Sequence, residues 1–202
     1  MDFMNQGNGG WVEVICGSMF SGKSEELIRR LRRAQFARQE VLAFKPHLDN
    51  RYTADEIASH SQMRATCIRI SQASEILHHL LPTTQVVGID EIQFLGIAAV
   101  PVVEELAKRG LRVICAGLDQ DYKGEPWHPM PELMARAEYV DKMHAICLQC
   151  GKPASRTQRK VAGAGRVLIG TDDTYEARCR TCHTIPDEEA EQTALFQETM
   201  NE

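Results

Sequence analysis

No stretch of this 202-residue chain approaches the roughly 18 consecutive apolar residues that a membrane-spanning helix needs. Basic charge is not in excess either. Lys and Arg number 23 against 28 Asp and Glu, a formal net charge of −5. General nucleic-acid binding wants a basic surface, so that function class loses its footprint, although a local basic patch is compatible with the total. The first ten residues, MDFMNQGNGG, lack the charged-then-apolar layout of a secretory signal and read as a flexible lead-in. Internal repeats and low-complexity tracts are missing too. These absences point to a cytosolic protein without membrane or nucleic-acid partners.

Apolar residues make up 43 % of the chain, which supports a sizeable core. Trp11 to Cys16 has the β-branched content of a strand. From Ser24 the period becomes helical, with Leu27, Ile28, Leu31 and Ala34 on one face. Arg29, Arg30, Arg32 and Arg33 between them read as a solvated face. Val41 to Phe44 predicts a second strand, followed by a polar loop over 45–52. Thr66 to Ile70 is a candidate strand, and a helix is expected from Ser74 to Leu81, before Pro82. Val86 to Asp90 and Arg112 to Ala116 are apolar runs of the kind buried on both faces of a parallel sheet. A helix near Val100 to Arg109 should end at Gly110. This alternation predicts a parallel, doubly wound α/β sheet flanked by helices. After about residue 145 cysteine, glycine and polar residues dominate. The expected layout is a lead-in over 1–9, an α/β domain over 10–145, a small zinc-held domain over 146–186 and an acidic tail over 187–202.

Gly17-Ser18-Met19-Phe20-Ser21-Gly22-Lys23-Ser24 fits the G-x-x-x-x-G-K-[ST] phosphate loop at every fixed position. Its glycines let the backbone curl, so that successive N–H groups face phosphate oxygens at the start of a helix. Lys23 would reach the β- and γ-phosphates, and the Ser24 hydroxyl would sit on Mg²⁺. Asp90 closes the run 86–89 where a metal-ordering carboxylate belongs, and Glu91 follows it. One acid can organise the metal while the next accepts a proton.

Two Cys-x-x-Cys pairs, Cys147/Cys150 and Cys179/Cys182, suit tetrahedral zinc. A metal there would staple the base of a long excursion, so its expected role is structural. His183 is an alternative fourth ligand, and redox cysteines are the competing reading. Cys16, Cys67 and Cys115 read as small core residues. Between the pairs lie Gly163, Gly165 and Gly170, a segment able to approach a small ligand or simply a surface loop.

Taken in order, these motifs resemble the zinc-containing (type II) thymidine kinases, from about Gly10 to Pro186. The match includes Lys-Pro-x-x-Asp-x-Arg-Tyr at 45–52, Asp-Glu-x-Gln-Phe at 90–94, Gly-Leu-Asp at 117–119, Thr157 and Tyr175. The resemblance implies a P-loop, RecA-like fold and transfer of the ATP γ-phosphate to the 5′-hydroxyl of thymidine, with deoxyuridine as a further substrate. It implies Glu91 as catalytic base, and Asp90 and Gln93 beside Mg²⁺ and substrate. Asp49 and Arg51 fall on a loop near the phosphates. Arg166, Val167, Leu168, Ile169 and Gly170 map onto a segment closing over thymine through main-chain bonds, with Tyr175 on the sugar side. Met19, Leu118, Tyr122, Trp127 and Thr157 would pack around the base. Tyr122 and Trp127 stand where phenylalanine is common, which keeps an aromatic wall but alters pocket volume. A homotetramer and feedback inhibition by thymidine triphosphate are family expectations. A zinc-ribbon ATPase acting on nucleic acid is the rival reading.

Overall fold

A computed structural model of the chain describes residues 9–47, 56–58, 64–161, 165–166 and 173–185, with the side chains of 56–58 and 64–65 excepted. Six strands form one sheet in the order β5-β2-β6-β7-β1-β8, every neighbouring pair parallel. They are β1 (Trp11–Gly17), β2 (Glu40–Pro46), β5 (Ile68–Ile70), β6 (Thr84–Ile89), β7 (Arg112–Gly117) and β8 (Tyr139–Met143). A separate hairpin, β3 (Glu56–Ala58) with β4 (Arg64–Thr66), precedes β5.

Alternation along the strands divides the core in two. Val12, Val14 and Cys16 of β1, with Val87 and Ile89 of β6, pack against α2 (Ile76–His79), α3 (Ala99–Lys108) and α4 (Met130–Arg136). Ile15, Val86, Ile114 and Ala116 face the other way, against Leu27, Ile28, Leu31 and Ala34 of α1 (Lys23–Phe36). Helices thus cover both faces, which a fully parallel sheet requires. The expected periodicity of α1 and the buried runs of β6 and β7 are present as read. Among the described residues, no helix is long and apolar enough to cross a membrane.

Four expectations need correction. The helix over 74–81 is shorter: a 3₁₀ turn at Ala73–Glu75 leads into Ile76–His79, and Leu80 is already extended with Pro82 two residues on. The strand over 66–70 is split, Thr66 closing the hairpin and Ile68–Ile70 pairing with β2. Lys45, read as opening a polar loop, is a strand residue only 1 % exposed. The sequence reading also passed over α4 and β8, whose strand has only Tyr139 and Met143 half-buried at the sheet edge.

The fourth correction concerns Arg30. It is not on a solvated face but 8 % exposed, bonded to Glu13 at 2.7 Å, Glu26 at 2.7 Å and Asp141 at 2.5 Å. Glu13, fully buried on β1, also receives Arg112 at 2.6 Å and the Trp11 indole at 2.8 Å. Burial alone would raise the Glu13 carboxyl. Hydrogen bonding and charge from Arg112, with Trp11 and Arg30, outweigh that and hold it below its ordinary value.

Its contribution to stability is therefore complete above the unfolded carboxylate value, about pH 4.3, and fades as pH falls through the lower folded value. Arg30→Met strands part of this buried charge, and an expected loss of about 3–5 kcal/mol follows. Urea unfolding at pH 7 measures it, and a similar midpoint in the variant would show the network to be dispensable.

Candidate active site

The phosphate loop joins the carboxyl end of β1 to the start of α1, as its position in an α/β sheet demands. Gly17 has φ 143°, and a Cβ there would stand 2.4 Å from the Met143 carbonyl oxygen, so only glycine fits beside β8. Ser21 Oγ donates to the Ser18 carbonyl at 2.8 Å, and Lys23 Nζ donates to the same oxygen at 2.7 Å. The loop is thus tied to itself, and Lys23 folds back along it.

Ser24 Oγ donates to Asp90, at 3.0 Å to Oδ2 and 3.3 Å to Oδ1. Two motifs 66 residues apart in sequence meet here because β6 and β1 flank β7. The hydroxyl and carboxylate form a hard oxygen pair suited to Mg²⁺ beside a phosphate loop. Glu91 follows at φ 48°, a left-handed conformation that a non-glycine residue adopts at a cost of order 1 kcal/mol. It opens a 3₁₀ turn, Ile92–Leu95, whose Gln93 Nε2 donates to Glu91 Oε2 at 2.5 Å. Gln93 Oε1 accepts the Leu118 amide at 3.1 Å. A Cβ on Gly117 would meet that oxygen at 2.6 Å, so this glycine makes room for the relay. One carboxylate is in this way oriented by a chain of bonds from the end of β7.

Next to the relay, Met19, Leu118, Tyr122 and Tyr175 form a buried cluster, with Phe20 and Trp127 packed against it. Trp127 meets Phe94 edge to face, centroids 5.5 Å apart. The Met19 amide donates to Thr157 Oγ1 at 3.0 Å. Thr157 lies on β11 (Arg156–Arg159), which pairs with β12 (Tyr175–Arg178). Every described residue expected around the base therefore gathers in one place. Arg166 does so as well, through Asp121 Oδ2 at 2.7 Å, the Pro126 carbonyl at 2.8 Å and the Trp127 ring at 5.2 Å. Asp49, Arg51 and the run 167–170 lie outside the described residues, as do 1–8 and 186–202.

Cys147, Cys150, Cys179 and Cys182 place their Sγ atoms within 4.8 Å of one another, held by β9 (Ala145–Ile146), β10 (Pro153–Ala154) and β12. The Cys150–Cys179 separation is 3.7 Å. A ZnS₄ tetrahedron with 2.3 Å bonds has an edge of about 3.8 Å, so the four could hold zinc. Burial would raise the Cys147 thiol, but amides of Cys179, Gln149 and Cys150 outweigh it and bring it to about 6. Hydrogen bonding with Cys179 and Cys150 pushes Cys182 up to about 12. His183 takes no part in the cluster: its Nε2 lies 2.8 Å from the Tyr122 carbonyl. Sequence reasoning missed Arg159, which stacks on Tyr122 at 3.6 Å. Basic residues at the end of a short strand carry no local signal of such a place.

A family model described as "Thymidine kinase" matches residues 10–183. A thymidine kinase from Bdellovibrio bacteriovorus is 57% identical over 181 residues, covering 90% of this chain and 88% of that protein. Among solved structures, the genome packaging NTPase B204 from Sulfolobus turreted icosahedral virus 2, in complex with ATP-gammaS, matches with a TM-score of 0.42 at 14% identity. That likeness covers 66% of this chain and 74% of that one.

Thr157→Val keeps shape but leaves the buried Met19 amide without its acceptor. The expected cost is about 1–3 kcal/mol, the penalty of an unsatisfied buried donor. Chemical denaturation measures it, and a loss well below this range would mean that the contact contributes little.

Proposed function

The chain belongs to the thymidine kinase family, and from that premise we propose that it transfers the γ-phosphate of ATP to the 5′-hydroxyl of thymidine, and of deoxyuridine. The observation carrying this reading is the juxtaposition of the Ser24–Asp90 pair, the Gln93-oriented Glu91 and the apolar cluster of Met19, Leu118 and Tyr122. A phosphate site alone would fit any ATPase. A buried aromatic cluster adjoining an oriented carboxylate suits an alcohol acceptor with a flat ring.

In this mechanism the loop amides and Lys23 hold the β- and γ-phosphates, Lys23 exchanging its Ser18 carbonyl for phosphate oxygen. Ser24 and Asp90 would hold Mg²⁺, which when bound neutralises charge on the β–γ oxygens. Glu91 takes the proton of the 5′-hydroxyl as its oxygen attacks phosphorus. Gln93 keeps the carboxylate aimed and uses Leu118 to fix itself. Thymine is held between the aromatic wall and backbone of the segment beyond Arg166, and Tyr175 faces the sugar. Asp49 and Arg51 act at the phosphates in the same reading. Phosphoryl transfer needs little covalent help, so positioning and charge supply most of the acceleration. Cys147, Cys150, Cys179 and Cys182 would hold one Zn²⁺, whose role would be structural. A homotetramer, inhibition by thymidine triphosphate and a cytoplasmic location belong to this reading too.

Glu91→Gln is expected to lower kcat roughly 10²-fold or more, the scale of general-base catalysis, with the KM for ATP little changed. Steady-state ADP release with product identification measures it, and near-parental turnover removes the assignment. ATP consumption with thymidine, with single-stranded DNA and with neither tests the function itself: only thymidine should stimulate. Stimulation by DNA instead would favour the nucleic-acid ATPase. For the metal, elemental analysis of the purified chain should give about one zinc per chain, and Cys147→Ala should lose it. A parent without zinc would refute the site.

A further inference from the structure

Arg159 ends β11 two residues after Thr157, with only 2 % of its surface exposed. Its guanidinium lies over the Tyr122 ring, 3.6 Å from the centroid. One terminal nitrogen donates to the Gly165 carbonyl at 2.9 Å; the other donates to the Arg166 carbonyl at 3.1 Å and stands 3.4 Å from the Tyr175 hydroxyl. A single buried cation therefore joins three separate stretches of chain: the loop after β7, the start of β12 and the pair 165–166. Arg166 closes the circuit by returning to Asp121 and the Pro126 carbonyl in the same loop after β7.

Burying a guanidinium is costly, and an aliphatic side chain would fill the space more cheaply. What only arginine supplies is a rigid planar fork that stacks on a ring while gripping two carbonyls in fixed directions. Both aromatic residues that it engages, Tyr122 and Tyr175, belong to the cluster that forms the pocket. We propose that Arg159 is a positioning residue for nucleoside binding, setting the Tyr122 and Tyr175 rings and the Gly165–Arg166 backbone in register around the pocket. It acts through these groups and has no part in the phosphate chemistry. The assignment rests on the thymidine kinase reading of that pocket.

The test is steady-state kinetics of the full chain carrying Arg159→Met, with thymidine and ATP varied separately. The KM for thymidine should rise roughly 10- to 100-fold, the scale at which small misplacements act. The KM for ATP should stay within about twofold, because binding on the phosphate side is untouched. Zinc content should match the parent. Arg159→Lys keeps charge but lacks the fork, so a rise of about fivefold or more in thymidine KM is expected. If the methionine variant does not fold, the lysine variant decides. A parental thymidine KM in Arg159→Lys, or equal rises for both substrates in either variant, overturns the proposal. Absence of thymidine-dependent turnover in the unmodified chain sinks the kinase reading itself, and this assignment with it. A normal parent with an unresponsive variant sinks only the role of Arg159.

Discussion

The bond from the Met19 amide to the Thr157 hydroxyl fixes where the two parts of the site meet. Transfer between phosphorus and an alcohol oxygen tolerates misplacement of well under an ångström before rate is lost. The phosphate loop is anchored on β1 and α1, while Thr157 and Tyr175 come from a ribbon outside the main sheet. Without a direct tie, the distance between the two would depend on long stretches of intervening chain. With it, the loop itself becomes one wall of the pocket, and Met19 and Phe20 take part in both. Phe20 does more: at φ 64° it also packs against the cluster around Cys147 and Cys179. The loop that receives phosphate is thus braced from the side where the cysteines gather.

Charge is distributed unevenly along the sheet. Glu13, Arg30, Arg112, Asp141 and Glu26 form one connected ion-pair network at the side of the sheet where β1, β7, β8 and α1 meet. At the carboxyl ends, Asp90 accepts the Ser24 hydroxyl and Glu91 accepts the Gln93 side-chain amide, bonds that set the direction of each carboxylate.

How much of this could be read beforehand follows from how local each signal is. The phosphate loop, Asp90–Glu91 and the four cysteines are short patterns whose chemistry is set by spacing, and each falls where the spacing put it. The sheet was legible too, because its central strands are dominated by apolar residues. What escaped depends on contacts far apart in sequence. Arg30 looks like its neighbours Arg29 and Arg33, and only the approach of Glu13 and Asp141, 17 and 111 residues away, distinguishes it. Lys45 sits in an apolar strand end that composition cannot separate from the polar run after it. β8 carries little apolar pattern because the edge of the sheet asks for little. The left-handed turn at Glu91 is a property of the backbone that no side chain announces.

The pocket shows the same limit and also why it exists. Its rings were expected from resemblance, but their supports were not: Arg159 on Tyr122, Arg166 and Phe94 on Trp127. An aromatic ring offers a large apolar face with few torsions to freeze, so a wall built from rings costs little entropy to hold still. It also lacks direction, since a flat ligand can slide on it. Arginines stacked behind or beside the rings supply that direction, because each guanidinium is pinned by carbonyl or carboxylate groups at fixed angles. The wall therefore takes its shape from apolar residues and its orientation from two guanidiniums, Arg159 buried and Arg166 exposed. For a wall of flat rings, orientation is the scarcer of the two, and that is where the structure places the buried guanidinium of Arg159.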